Sequence, residues 1–196
     1  HAATARAIET LDAQRLDDAE RILRQALTID SKFIPARAAL GEILVRKCDL
    51  EGAKQIAART DPDTPEDSRL ERVLGLIYDR LDDTDKAELH YRAASQLDRA
   101  DTRSMYALAS VYLRAKKTLQ AQRQLRSVLE IRQSHEPARE LLALALLDEG
   151  KGDAARQEYQ QLEKLTQKPT TKARCRILLD PALRGDPTER RRILLG

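Results

Sequence analysis

Hydrophobic side chains recur along this chain about every 3.6 residues, which is the spacing of an α-helix with one buried face. One such segment has apolar residues at these positions: Leu16, Ala19, Ile22, Leu23, Ala26 and Leu27. Short polar breaks separate the helical segments: Gln14-Arg15, Cys48-Asp49, Asp82-Asp83, Lys116-Lys117 and Gly150-Lys151-Gly152. Because loops this short make neighbouring helices antiparallel, the pattern predicts a series of helical hairpins.

The hydrophobic pattern itself repeats every 34 residues, without insertions. One position of the repeat is always alanine: Ala19, Ala53, Ala87, Ala121 and Ala155. Another position is always small: Ala7, Gly41, Gly75, Ala109 and Ala143. Two helices approach closely only where small side chains lie at their crossing point. We therefore expect the small residue on the first helix of each repeat to face the second helix, and the alanine to face the first.

The segments 16–30 and 83–98 resemble the second helix of the tetratricopeptide repeat, and the segments 39–44, 73–78 and 107–112 resemble its first helix. This resemblance implies an all-α, right-handed superhelical solenoid of about five helix–turn–helix repeats with C-terminal capping helices. The expected repeats are 1–33, 34–67, 68–101, 102–135 and 136–169, and the expected capping region is 170–196. The sequence departs from the family pattern because it contains no Trp.

Two regions depart from the regular repeat. The segment 61–65 (Asp-Pro-Asp-Thr-Pro) is expected to end the second helix of repeat 2 early and to act as a flexible joint. In the tail, residues 171–179 are expected to form a helix that Thr170 caps and that ends before Pro181. A last short helix is expected over residues 187–195, with Pro187 at its first position.

Composition favours the same fold class. Aromatic residues make up 3% of the chain and hydrophobic residues 41%, so alanine and leucine must build the core. Seven Gly and seven Pro are too few for many short strands. The net charge of +3 is unevenly distributed, since residues 1–67 carry −3, residues 68–135 carry +4 and residues 136–196 carry +2.

No pattern of catalytic or metal-binding residues stands out. His1, His90 and His135 fall at different positions of the repeat, without a carboxylate or cysteine at metal-ligand spacing. Cys48 and Cys175 are too few and too far apart for a disulfide framework or a metal site. We therefore expect no enzyme activity, no cofactor and no metal. The acidic run 82–85 fits helix capping better than cation binding.

The resemblance implies that partners bind in a concave groove lined by the first helices. The 34-residue register assigns four positions of each repeat to it. Ordered inward, they are Pro35, Arg69, Arg103 and Pro137; Ala38, Arg72, Tyr106 and Glu140; Glu42, Leu76, Ser110 and Leu144; and Arg46, Arg80, Arg114 and Asp148. The predicted partner-binding residues among them are Arg46, Arg69, Arg72, Leu76, Arg80, Arg103, Tyr106, Ser110 and Arg114.

Arginines pair well with carboxylates, and Arg and Tyr often dominate interface energies, so the predicted partner is a protein or peptide, possibly acidic. The alternative is that these arginines only solvate a helical face. The family's chaperone-binding members use Lys, Arg and paired Asn in the groove, and this chain has no Asn. Its matching positions hold Ile8, Ala39 and Glu42, so a chaperone tail is not expected.

Three function classes are weighed. The first is a protein-binding scaffold within a larger, perhaps bacterial envelope, secretion or polysaccharide-export assembly. The second is a nucleic-acid binder, suggested by the basic middle and by Arg190-Arg191-Arg192 but unlikely because only Tyr106 could stack on a base there. The third is a regulatory region of an enzyme whose catalytic part lies outside this chain.

The compartment is left open between a bacterial periplasm or membrane and the cytoplasm. No apolar stretch approaches the roughly 18 residues that a membrane helix needs. The chain begins at His1, so we expect it to be a fragment, with any signal or anchor lying outside it.

Overall fold

The structure is a computed structural model that describes residues 13–58 and 67–179. These residues contain ten α-helices and no β-strand. In chain order the helices are α1 (Ala13–Ile29), α2 (Ile34–Arg46), α3 (Leu50–Ala58), α4 (Ser68–Arg80), α5 (Thr84–Leu97), α6 (Thr102–Arg114), α7 (Thr118–Ile131), α8 (Glu136–Asp148), α9 (Gly152–Leu165) and α10 (Pro169–Leu179). The first helices α2, α4, α6 and α8 begin 34 residues apart, and so do the second helices α3, α5, α7 and α9. The predicted period is confirmed over the described residues.

The chain forms two compact units, His1–Ser104 and Met105–Gly196. In the first unit, α2 packs against α1, α3 and α4, and α4 also packs against α3 and α5. In the second unit, α8 packs against α7 and α9, and α9 also packs against α10. Each first helix therefore buries its apolar face between second helices and a neighbouring repeat, as helices with a single apolar stripe must.

Leucine and alanine supply much of the core, as the composition predicts. In the first unit, Leu40, Leu44, Val73, Leu74 and Ile77 are buried in one cluster, which Ala53 joins. In the second unit, a cluster of four buried residues lies between α8, α9 and α10: Ala143, Tyr159, Leu162 and Cys175. Burial of these side chains is the main favourable contribution to folding, at about 1.5–3 kcal/mol for each large apolar side chain.

The two small positions of the repeat lie where the helices are closest. Ala53, Ala87, Ala121 and Ala155 are all fully buried, at 0% exposure. A Cβ atom added to Gly41 would lie 2.6 Å from Cγ1 of Val73, and one added to Gly75 would lie 2.6 Å from Cδ1 of Tyr91. Real Cβ atoms do not approach so closely, so these positions need glycine, and the packing role predicted for them is confirmed.

The turns between paired helices also keep the 34-residue period. One residue in each has the left-handed conformation: Cys48 (φ 57°), Asp82 (φ 63°), Lys116 (φ 56°) and Gly150 (φ 75°). In every one of these turns, two N–H groups return to carbonyls of the preceding helix, for example Cys48 N to Val45 O (3.1 Å) and Asp49 N to Leu44 O (2.9 Å). This is the Schellman arrangement, which ends the first helix and satisfies its last carbonyls.

Two expectations for α1 are wrong. The polar break predicted at Gln14-Arg15 does not exist, because α1 runs without interruption from Ala13 to Ile29. Ala, Gln, Arg and Leu are all good helix formers, and no Gly or Pro interrupts them. Ile22 is 57% exposed, whereas Leu23 and Leu27 on the same helix pack against the core.

The cap predicted at Thr170 is also wrong. Helix α10 begins at Pro169, so Thr170 is an exposed residue of its first turn. Proline is well suited to that first position, because its missing N–H would have no partner there and its φ angle is already helical. Three other expectations lie outside the described residues: the helix before Ala13, the joint at 61–65 and the helix at 187–195.

Candidate partner-binding faces

Two of the predicted arginines, Arg69 and Arg72 on α4, lie against Glu42 on α2. Arg72 donates a hydrogen bond from Nη2 to Oε1 of Glu42 at 2.8 Å, and Nη2 of Arg69 lies 3.6 Å from Oε2 of the same carboxylate. The three side chains are only 25%, 17% and 13% exposed for Arg69, Arg72 and Glu42 respectively. Charges this shielded are screened less by salt than surface charges, so Glu42 offsets much of the local positive potential.

Asp101 extends this group to the start of α6. Its carboxylate lies 3.7 Å from Nε of Arg72. It also accepts hydrogen bonds from the backbone N–H groups of Arg103 (3.0 Å) and Ser104 (3.2 Å), and so satisfies donors of the first turn of α6. The side chain of Arg103 is exposed. The two predicted arginines Arg69 and Arg72 are therefore balanced by two carboxylates.

Arg46 and Arg80 are exposed and occupy the last turns of α2 and α4. Cations at this end of a helix interact favourably with its dipole, which gives both residues a structural role as well as a possible binding role. Leu76 is half-buried against the core of the first unit. Ala38, which the register assigned to the groove, is instead fully buried in that core, because the next first helix packs over it.

In the second unit, Tyr106, Ser110 and Arg114 lie on one side of α6 at a spacing of four residues. Ser110 donates its hydroxyl hydrogen to the carbonyl of Tyr106 at 3.2 Å. The Tyr106 ring lies 5.5 Å from the imidazole of His135, with a tilt of 38° between the planes. Burial, and then the negative charge of Glu140, raise the pKa of Tyr106, so its hydroxyl remains a hydrogen-bond donor at neutral pH. Arg114 is exposed in the last turn of α6.

The sequence analysis did not identify the carboxylates that balance the arginines. Glu42 was assigned to the groove, but not as the partner of Arg72, and Asp101 was not considered. The missed signal is a spacing: Glu42 lies one helical turn beyond Ala38, which is the position equivalent to Arg72 in the preceding repeat. Packing of successive first helices then brings the two side chains together.

A second polar pattern joins the two helices of a repeat. His90 Nδ1 lies 2.8 Å from Oε2 of Glu71, and Arg139 Nη1 donates to Oε2 of Glu158 at 2.7 Å. Both pairs are 19 residues apart, and they occupy equivalent positions of repeats 3 and 5 with the acid and the base exchanged. His90 also stacks on the ring of Tyr78, at 5.2 Å between centroids. These contacts give His90 a structural role.

The described part of the chain holds no group of three or more His, Cys, Asp or Glu side chains that could bind a metal ion. Cys175 is buried, and burial raises the pKa of its thiol to about 11, so it is protonated and a poor nucleophile at neutral pH. Cys48 is exposed at a turn. None of the described helices is both long enough and apolar enough to cross a membrane.

Two family profiles match the chain. The profile described as tetratricopeptide repeat matches residues 10–77, and the one described as anaphase-promoting complex, cyclosome, subunit 3 matches residues 81–162. A comparison with curated protein sequences gave no match.

Several solved structures share the fold. One from a functional characterization of Pseudomonas aeruginosa pilF has a TM-score of 0.77 at 21% identity, covering 99% of this chain and 86% of that one. A crystal structure of MamA gives 0.69 at 17% identity, covering 76% and 87%. YrrB, described as a TPR protein with an unusual peptide-binding site, gives 0.69 at 18% identity, covering 84% of each chain. At these identities the likeness shows the fold, an all-α helical-repeat solenoid.

Proposed function

Because the chain belongs to the tetratricopeptide-repeat family, we propose that it is a non-catalytic scaffold that binds a partner protein or peptide through its first helices. In the first unit the proposed binding surface is the α2–α4 face, which consists of these residues: Glu42, Arg46, Arg69, Arg72, Leu76 and Arg80. The observation that carries the proposal is that this face combines exposed arginines and a half-buried leucine on two packed helices. Arginine is prominent among the residues that dominate binding energies at interfaces.

The ion pairs support this proposal by holding Arg72 in one orientation. Its contacts with Glu42 and Asp101 restrict the guanidinium before any partner arrives, which reduces the entropy lost on binding. Arg46 and Arg80 are exposed at the ends of their helices and are the side chains that an acidic partner would meet. Leu76 would supply apolar contact beside them. We propose that the partner segment is acidic with apolar residues interspersed.

The second unit contributes its own candidates, Tyr106, Ser110 and Arg114. Tyr106 presents an aromatic ring with a protonated hydroxyl, a combination that suits interfaces because it offers apolar area and a hydrogen bond at low entropic cost. Ser110 and Arg114 continue the same side of α6 by one and two turns. We keep these three residues as predicted partner contacts within the second unit.

The charge balance of the α2–α4 face favours a polypeptide over a nucleic acid. Glu42 and Asp101 offset Arg69 and Arg72, whereas a phosphate backbone is bound by an excess of unbalanced cations. We propose that the partner belongs to a larger assembly of the bacterial envelope, secretion or polysaccharide-export kind. A regulatory role for an enzyme domain outside this chain is compatible with the same binding face.

The test begins with co-purification of partners by the intact protein, followed by titration of the partner found. Exchanging Arg46 and Arg80 for glutamate is expected to lower affinity at least tenfold, because two attractive contacts become repulsive. The matched control is Arg21→Glu with Lys54→Glu, which makes the same change of charge on the second helices α1 and α3, where both residues are exposed. The control is expected to keep affinity within about twofold. Equal losses in the two variants, or no loss in the first, would contradict the proposed face.

A further inference from the structure

Helices α1, α2 and α3 enclose a cavity of about 520 Å³ in the first unit. Its apolar wall includes Leu27, Leu40 and Ile56. Its polar wall includes Arg24, Lys32 and Arg37, and no acidic side chain is among the described residues that line it. The volume falls within the roughly 300–1,000 Å³ that small-molecule sites occupy, and the lining combines apolar surface with positive charge.

Arg37 is the unusual member of this lining, because it is 7% exposed and only partly hydrogen-bonded. Its Nη2 donates to the carbonyl of Ser31 at 2.7 Å, which fixes the guanidinium. Its Nη1 is buried and has no hydrogen-bond partner. A buried donor without an acceptor is costly, and in native proteins it generally signals a partner that is still to be bound.

The repeat itself shows which partner suits this guanidinium. Arg139 occupies the equivalent position in repeat 5, and it makes the same contact with the preceding loop, from Nη2 to the carbonyl of Gln133 at 2.9 Å. There, however, Nη1 donates to the Glu158 carboxylate at 2.7 Å. In repeat 2 the position equivalent to Glu158 holds Ile56, which lines the cavity. Arg37 therefore keeps the geometry of a carboxylate-binding arginine, but the chain supplies no carboxylate.

The remaining charges near the cavity reinforce this preference. Arg24 is paired with Glu20, at 2.7 Å from Nε to Oε1, so its charge is partly offset. Lys32 lies on the loop that leads into α2. The residue before α2, Phe33, provides no side-chain cap, so the positive end of the helix dipole is not neutralised by its own capping residue.

We infer that the cavity between α1, α2 and α3 binds a carboxylate carried on a small aliphatic group, with the carboxylate on Nη1 of Arg37 and the aliphatic group against Leu27, Leu40 and Ile56. Such a group could come from a free carboxylic acid or from a glutamate of a partner peptide flanked by leucines. The site uses different residues from the α2–α4 face, so the two proposals stand or fall separately.

The test is an NMR titration of the full ¹⁵N-labelled chain with 4-methylpentanoate, its uncharged analogue 4-methylpentanamide, and the blocked peptide N-acetyl-Leu-Glu-Leu-amide. We expect saturable shifts of amides near Ser31, Arg37 and Gln55, with the acid binding at least tenfold more tightly than the amide. Binding by 4-methylpentanoate alone would identify a small-molecule site, and binding by the peptide would identify a site for a partner's glutamate. Either result supports the inference.

Two variants locate the binding. Arg37→Gln removes the charge and is expected to abolish the saturable shifts. Because this variant also changes a buried contact, Thr28→Trp is a second one: Thr28 is exposed at the cavity, so tryptophan should block it while leaving Arg37 intact. The inference is overturned if acid and amide bind equally, if neither the acid nor the peptide gives saturable shifts, or if the shifts persist in both variants.

Discussion

Single residues set the ends of the helices in this protein, and the turns show how. Cys48, Asp82, Lys116 and Gly150 occupy one position of the repeat and share the left-handed conformation. For a residue with a Cβ atom this conformation costs roughly 1–2 kcal/mol relative to the right-handed region, and for glycine it costs almost nothing. The hydrogen bonds of each turn hold the three non-glycine residues in place despite that cost.

Gly150 allows this cost to be measured without a steric effect, because a Cβ atom there would meet nothing within 4 Å. We expect Gly150→Ala to lower the free energy of unfolding by about 1 kcal/mol. Gly152, at the start of α9, also has open space around it but does not have a positive φ, and it provides the matched control. Gly152→Ala should leave stability unchanged or raise it in urea unfolding. Equal effects of the two substitutions would contradict this assignment.

His135 gives a residue-scale prediction of pH dependence. Its Nδ1 accepts the N–H of Ala138 at 3.1 Å and so caps α8, which requires that nitrogen to be unprotonated. Burial, and then the charge of Arg132, lower the pKa of His135 below its usual 6.5. The cap is therefore fully present above about pH 6.5 and is lost as the pH falls through the lowered pKa.

We expect the wild-type protein to lose about 1 kcal/mol more stability than His135→Asn between pH 7 and pH 5, since asparagine caps without titrating. Urea unfolding of both proteins across this range measures the difference, and the titration of other groups cancels in the comparison. Parallel pH profiles would show that the imidazole does not act as a cap.

At the scale of helices, the α2–α4 contact depends on an ion pair as well as on apolar packing. Glu42 faces Arg69 and Arg72 in surroundings where each side chain is at least three-quarters buried. Removing one member of such a group leaves the others shielded from water without their partner. The sequence gave the register of these helices but not this dependence, because the partners belong to different repeats.

We expect Glu42→Gln to lower the free energy of unfolding by about 1–3 kcal/mol, since two guanidinium groups lose their carboxylate. Glu51→Gln is the control, because Glu51 is 80% exposed and pairs only with neighbouring Lys54 within α3. Its effect should stay within about 0.5 kcal/mol. Chemical denaturation of both variants decides the matter, and equal effects would mean that the Glu42 pairs contribute little.

At the scale of the whole molecule, each helix is stabilised mainly by its immediate neighbours, as in other repeat arrays. Gly75 offers a way to test this, because a Cβ atom there would overlap the Tyr91 ring at 2.6 Å and force α4 and α5 apart. Overpacking of this kind typically costs about 1–3 kcal/mol. The effect should therefore spread outward from one hairpin.

We expect Gly75→Ala to accelerate amide hydrogen exchange most in α4 and α5, less in α2 and α3, and least in α1. Exchange followed by mass spectrometry on peptic fragments measures this gradient, with Gly152→Ala as the variant that should leave the first unit unchanged. Equal acceleration from α1 to α5 would show that the unit opens only as a whole.

The sequence by itself determined the fold class, the 34-residue period and the residues at the helix crossings. It could do so because small side chains at a fixed interval are required wherever paired helices touch, as Gly41, Gly75 and Ala121 show. Only the tertiary structure decided which charges meet across repeats, as with Arg72 and Glu42, and which donor is left without an acceptor, as with Arg37. The physical reason is that a side-chain contact depends on the distance and direction between two helices, which the pattern within one helix does not specify.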